Sequence, residues 1–239
     1  MNLIPAIDLI EGKCVRLTKG NYAQMKVYNE NPLEVALMFQ DAGIKFLHLV
    51  DLDGAKAQHI VNWKVLEKIS TKTNLIIDFG GGIKSDEDIQ IAFNSGADKI
   101  TAGSIAVKNK PKVEEWIKKY SSEKIILGAD VNNEQIVVSG WQEQTELNIF
   151  DFLESFIKTG IQYSICTDIA KDGMLQGPSI DLYKKIIDKY SNVKLIASGG
   201  ISSLKDLNQL KEANLYGAII GKAIYEGKIS LKEISMFNQ

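Results

Sequence analysis

Short apolar runs alternate along the chain with segments whose apolar positions recur at helical spacing. The first run, Leu3-Ile4-Pro5-Ala6-Ile7, is continuously apolar and ends in Asp8. That is the pattern of a strand buried on both faces, as in a parallel sheet. Residues 46–51, 75–79, 99–102, 124–130, 163–168, 194–197 and 216–220 read the same way. Between them the spacing predicts helices over 32–42, from Trp63 through Ile69, and over 85–96, 111–120, 149–159, 180–190 and 202–214. Pro32 suits a first helical turn, Ser85 and Ser202 or Ser203 suit caps, and Gly43, Gly96 and Gly160 are stop signals. The polar segment 10–31 is a hairpin or a flexible loop, and 136–138 is one arm of a small hairpin. One or two short helices follow Ala223. Eight strand–helix units predict an α/β fold, a closed (β/α)8 barrel over residues 1–239 as a single domain. An open doubly wound sheet is disfavoured, because no G-x-G-x-x-G follows the first strand.

The two halves of the pattern match. Asp8 pairs with Asp130 at an offset of 122 residues, Asp51 with Asp168 at 117, and both Gly81-Gly82-Ile83 with Gly199-Gly200-Ile201 and Gly103 with Gly221 at 118. Regular strands alone do not predict matched strand endings, so a duplicated half-barrel is expected. In a ring of eight, strands one and five are opposite. Two carboxylates then face each other along one diameter of the mouth, and two glycine-rich sites along another.

Composition removes alternatives rather than adding any. The 239 residues carry a net charge of −2, which gives no basic surplus for nucleic acid. No apolar run approaches a membrane span, and the N-terminus lacks a signal-peptide pattern, so no membrane partner and a cytoplasmic location are expected. Cys14 and Cys166 are too few for a disulfide framework, and His48 and His59 cannot form a His-rich metal site. No metal or cofactor is expected, and the chain is expected to be a monomer. Arg16 is the one arginine among 28 basic residues, and its planar fork can grip phosphate or carboxylate as lysine cannot.

Glycine lets backbone N–H groups approach a ligand, and each Gly pair precedes a Ser-capped helix start. One such pair is explained by chain turning alone; two at matched positions point to phosphate. Gly199, Gly200, Gly221 and Lys222 make one site, and Gly81, Gly82, Gly103 and Ser104 the other. The expected substrate is phosphorylated at both ends and spans the barrel. Asp8 and Asp130 suit acid–base chemistry at a sugar carbon, one ionised and one protonated. Asp51 and Asp168 read equally well as structural caps.

Several stretches together resemble the histidine-biosynthesis isomerases that act on phosphoribosylformimino-aminoimidazole carboxamide ribotide. They are Ile4-Pro5-Ala6-Ile7-Asp8-Leu9, Gly12-Lys13-Cys14-Val15-Arg16-Leu17, and His48-Leu49-Val50-Asp51-Leu52-Asp53-Gly54-Ala55. Gly80-Gly81-Gly82-Ile83, Gly140-Trp141, Thr167-Asp168-Ile169, Lys171-Asp172-Gly173 and Ser198-Gly199-Gly200-Ile201 continue it over nearly the whole chain. The resemblance implies a cofactor-free Amadori rearrangement, an aldose–ketose isomerisation of a bisphosphorylated ribotide. It implies Asp8 as proton acceptor at C2′ and Asp130 as the donor that opens the ring. Thr167 and Asp172 would support them, Arg16 would contact substrate, Trp141 would stack on the imidazole, and Gly177 would join the binding set. Two positions depart from the family pattern: Lys84 stands where Arg is usual and Met174 where Thr is usual. Three other readings stay open. The cyclase subunit of imidazole glycerol phosphate synthase would carry Cys before the first aspartate, where this chain has Ile7. An isomerase that also takes phosphoribosylanthranilate, and a non-catalytic barrel that binds phosphorylated ligands, are the others.

Overall fold

The computed structural model describes residues 1–18 and 20–237. The chain opens with β1 (Asn2–Ile10) and an antiparallel hairpin of β2 (Lys13–Thr18) and β3 (Asn21–Asn29). Then come α1 (Pro32–Asp41), β4 (Phe46–Asp51), α2 (Leu52–Ala57), α3 (Trp63–Lys72), β5 (Ile76–Gly80), α4 (Asp86–Asn94), β6 (Lys99–Ala102), α5 (Ser104–Lys108) and α6 (Lys110–Tyr120). The second half runs β7 (Ile125–Asn132), the hairpin of β8 (Gln135–Val138) and β9 (Glu143–Asn148), α7 (Ile149–Ile157), β10 (Tyr163–Asp168), α8 (Ile180–Lys189), β11 (Lys194–Ser198), α9 (Leu204–Glu212), β12 (Gly217–Ile220), α10 (Lys222–Tyr225) and α11 (Leu231–Phe237).

Eight of these strands close a parallel ring in the order β1, β4, β5, β6, β7, β10, β11, β12 and back to β1. The segment 10–31 resolves as a hairpin rather than a loop, with a matching hairpin after β7. The helices α2 and α5 lie where the sequence pattern showed none: each is a single short element directly after a strand, too brief for a 3.6-residue period to register.

Side-chain alternation along the strands decides which groups reach the lumen. Along β1, Leu3, Ile7 and Leu9 pack against the helices, and Ile4 and Ala6 face the axis with Ile126, Tyr163, Ile165, Ile196 and Ile219. Asp8 shares the parity of Ile4 and Ala6, so it emerges inward above this apolar layer. Along β7, Ile125, Leu127 and Ala129 face out while Ile126 faces in, so Asp130 also points inward. Asp51 and Asp168 have the opposite parity. Asp51 is fully buried and accepts hydrogen bonds from the backbone N–H of Gly54, Val61 and Asn62 at 2.7–2.8 Å and from Asn62 Nδ2 at 2.6 Å. Asp168 accepts from the Ala170 N–H and the Ser179 hydroxyl. Both are anchors for the chain after their strands.

The repeat is geometric as well as sequential. Gly81 and Gly199 have φ of 93° and 92°, and Gly82 and Gly200 have 79° and 81°. Ser85 and Ser203 each form a capping box, with Asp88 and Asp206 respectively. Ser85→Ala and Ser203→Ala should each lower unfolding free energy by about 1 kcal/mol, read as a shift of the urea midpoint at unchanged slope.

Candidate active site

At the C-terminal ends of the strands, where barrel enzymes keep their chemistry, a cavity of about 240 Å³ is lined by Asp8, Arg16, His48, Lys84, Asp130, Trp141, Thr167 and Asp172, among others. Asp8 and Asp130 therefore share one space, reached from strands on opposite sides of the ring. β2 pairs with β1 and carries Arg16 over the mouth; its Nη1 lies 2.9 Å from Asp8 Oδ2. Among the described residues, Asp130 has no such cation. Its Oδ2 accepts from the Trp141 indole N–H at 2.8 Å, and Thr167 is its neighbour in strand register.

Burial pushes both carboxyls above the ordinary carboxylate range, and the nearby Asp172 adds to this. At Asp8 the Arg16 guanidinium opposes the rise; at Asp130 only neutral donors from Trp141 and Thr167 and the more distant His48 do. Of the two, Asp8 is thus the one whose surroundings favour the ionised form and Asp130 the one whose surroundings favour the protonated form.

Each hairpin is tied to a short helix at one rim. Ser104 Oγ accepts from the Ser139 N–H at 2.9 Å, and Lys108 reaches Ser139 and Glu143, which fixes the β8–β9 hairpin to α5. Glu226, just after α10, accepts from Lys26 at 2.8 Å and from Tyr28, which fixes the β2–β3 hairpin there. The hairpins meet over the mouth: a Cβ on Gly20 would lie 2.6 Å from the Trp141 ring. Trp141 thus lines the cavity with its indole N–H turned to Asp130.

The glycine-rich rims lie where the sequence pairs them. Gly81, Gly82, Lys84, Gly103 and Ser104 line the main cavity, and Gly199, Gly200, Gly221 and Lys222 line a smaller one that Arg16 and Asp172 also reach. At α4 and α9, however, part of the expected donor set is already taken. Asp88 accepts from the N–H of Lys84 and Ser85, and Asp206 from those of Ser202 and Ser203. The short helices α5 and α10 instead start at Gly103 and Gly221 with no side-chain cap, so their first N–H groups are the open donors. Lys222 Nζ donates to the Gly173 carbonyl at 2.9 Å. Gly177 is outside both linings; its N–H donates to the Gly200 carbonyl at 3.0 Å, so it braces the rim from behind. Burial and the nearby Lys108 lower the Lys84 ammonium below its usual range.

The sequence pattern did not single out one pair in the lumen. Asp78 Oδ2 accepts from His48 Nδ1 at 2.6 Å and Asp78 Oδ1 from Thr101 Oγ1 at 2.7 Å, which leaves the other imidazole nitrogen for the cavity that His48 lines. The inward parity of His48, two residues before Val50 on β4, was the available signal. Among the described residues, no group of three or more His, Cys, Asp or Glu is placed to hold a metal ion, and no helix is long and apolar enough to cross a membrane.

Opposed carboxylates in a (β/α)8 barrel, flanked by two glycine-rich rims, are the layout of a barrel enzyme's active site. The chain belongs to the histidine biosynthesis protein family, whose family model matches residues 2–230. It is 61% identical over 237 residues to the 1-(5-phosphoribosyl)-5-((5-phosphoribosylamino)methylideneamino)imidazole-4-carboxamide isomerase of Flavobacterium johnsoniae, covering 99% of each chain. The isomerases of the same name from Cytophaga hutchinsonii and Bacteroides thetaiotaomicron are 57% and 56% identical, over 100% and 99% of this chain and 99% of each relative.

Proposed function

We propose that this chain converts phosphoribosylformimino-aminoimidazole carboxamide ribotide to its ribulosyl isomer, the Amadori step of histidine biosynthesis. The single observation that carries the roles is the unequal surroundings of the two carboxyls: Asp8 is ion-paired with Arg16, and among the described residues Asp130 has no ion-pair partner. Asp130 gives its proton to the ribose ring oxygen, the ring opens, and an iminium forms at C1′. Asp8 removes the proton from C2′, which leaves an enolamine. Tautomerisation of the enolamine gives the aminoketose, so the overall change moves hydrogen within the substrate and needs no outside oxidant. The two rims, about opposite one another, hold the terminal phosphates and fix C1′ and C2′ between the carboxyls. Closure of the two hairpins keeps water from the enolamine.

The test is incubation of purified protein with the ribotide in deuterium oxide. The ketose should form, with solvent deuterium at C1′ of the product and, by reversal, at C2′ of recovered substrate. Protein that binds the ribotide and yields no ketose would overturn this reading in favour of a non-catalytic barrel.

The pH dependence has a definite sign. Activity needs Asp8 ionised, so it falls as pH drops through the Asp8 midpoint; it needs Asp130 protonated, so it falls as pH rises through the Asp130 midpoint. Both midpoints lie above the ordinary carboxylate range. A kcat/KM profile should therefore be a bell with both limbs above about pH 4. A rate that stays flat from pH 4 to pH 9 would remove the assigned roles.

A further inference from the structure

Gly103 and Gly221 occupy equivalent places in the two halves, with φ and ψ of −88° and −111° at one and −105° and −101° at the other. Neither φ is positive, so the left-handed geometry that demands glycine at Gly81 and Gly199 is not the reason here. Their surroundings differ sharply. A Cβ on Gly103 would meet nothing within 4 Å. A Cβ on Gly221 would lie 2.5 Å from Arg16 Cζ and 3.0 Å from Arg16 Nη1, and would overlap Nη2. The guanidinium fills the volume that a side chain at 221 would take. The same group makes the 2.9 Å ion pair with Asp8. Its Nε is buried with no partner among the described residues, so the hold on Asp8 depends on how the fork is seated.

We infer that Gly221 is a positioning residue: its bare Cα is the seat that holds the Arg16 guanidinium against Asp8. Gly221 thereby acts on the proton acceptor through Arg16, beyond any contact its backbone makes with phosphate. This rests on Asp8 being that acceptor. Among the described residues, the ionisable groups around Asp8 are Arg16 and Cys14 on β2, Tyr22 on β3, His48 on β4, Asp172 in the loop after β10, and Tyr225 on α10, with Asp130 sharing the cavity. Arg16 alone among them is a cation at every working pH. Displacing it removes the main group that keeps a buried carboxyl ionised. The atoms in the way are the far end of a flexible side chain, so alanine at 221 moves the fork, and any cost of its backbone conformation is shared by alanine at 103.

The experiment compares Gly221→Ala, Gly103→Ala, Arg16→Met and the Gly221→Ala/Arg16→Met double variant. Asp8 titration is read by carbon-13 NMR of its carboxyl, assigned by its loss in Asp8→Asn, and the acid limb of kcat/KM is measured alongside. Gly221→Ala should raise the Asp8 midpoint by about one to three pH units, the scale of losing an adjacent arginine, and carry the acid limb with it. Arg16→Met should raise it as far, and Gly221→Ala should add nothing in the Arg16→Met background. Gly103→Ala, which has the same backbone geometry, should leave the Asp8 midpoint in place whatever it does to KM. An unmoved midpoint in Gly221→Ala, an equal shift in Gly103→Ala, or an additive shift on Arg16→Met would each overturn the inference. If the parent protein made no ketose, the isomerase reading would fall, while the NMR titration, which needs no substrate, would still decide the seat.

Discussion

Asp8→Asn and Asp130→Asn should each lower kcat by about a hundredfold or more, the usual loss when a general acid or base is removed. Binding of the ribotide should change far less, because the glycine-rich rims are untouched. The two variants should part company in stability. A carboxyl whose folded-state midpoint is raised contributes stability that is complete below its unfolded midpoint and is lost as pH rises through the folded one. Asparagine at 130 stays neutral and its side-chain carbonyl can still accept from Trp141, so Asp130→Asn should melt above the parent at pH 8, with the difference shrinking toward pH 4. Asp8→Asn leaves the buried Arg16 without its counter-charge and should melt below the parent at pH 8. Parallel assays and melting curves check both halves. Near-parental turnover in either variant would strip that residue of its role.

Gly81→Ala should be the most damaging change outside the chemistry. Gly81 has φ of +93°, and its Cβ would overlap the Asp51 carbonyl oxygen and lie 2.8 Å from the Asp51 carbonyl carbon and 2.9 Å from its nitrogen. Those are backbone atoms of a residue locked by hydrogen bonds from Gly54, Val61 and Asn62, so they cannot give way. The backbone conformation costs about 1–2 kcal/mol and the overlap about 1–3 kcal/mol. A loss of about 3–4 kcal/mol is expected, roughly 10 °C in Tm for a chain of this size. At the equivalent Gly199 the nearest atom to such a Cβ is the Asp168 carbonyl oxygen at 2.8 Å, so Gly199→Ala should cost less. Urea unfolding of the two variants side by side reads the difference.

The eight barrel strands were legible because each is a short apolar run bounded by a turn signal, and residues 46–51 even match β4 end to end. The caps at Ser85 and Ser203 were legible because a capping box is a local pattern. The shared cavity of Asp8 and Asp130 followed from the repeat plus ring closure. What stayed hidden is long-range. Nothing local to Asp78 announces that it meets His48, 30 residues away, and nothing in Gly-Trp says that Trp141 turns its indole N–H to Asp130. The glycine pairs were visible, but their main cause is positive φ and close backbone approach, while the open donors sit one helix later, at Gly103 and Gly221.

The ring is sealed by β12 lying against β1, with the Asn2 N–H donating to the Tyr216 carbonyl at 2.9 Å across a separation of 214 residues. At synthesis rates of about 5–20 residues per second, the first strand to leave the ribosome waits roughly 10–40 s for its last neighbour. For that time the nascent protein carries an unzipped edge that could pair with another chain. Brief guarding by a chaperone would therefore matter most during translation, and once β12 arrives there is no free edge left in the ring to guard.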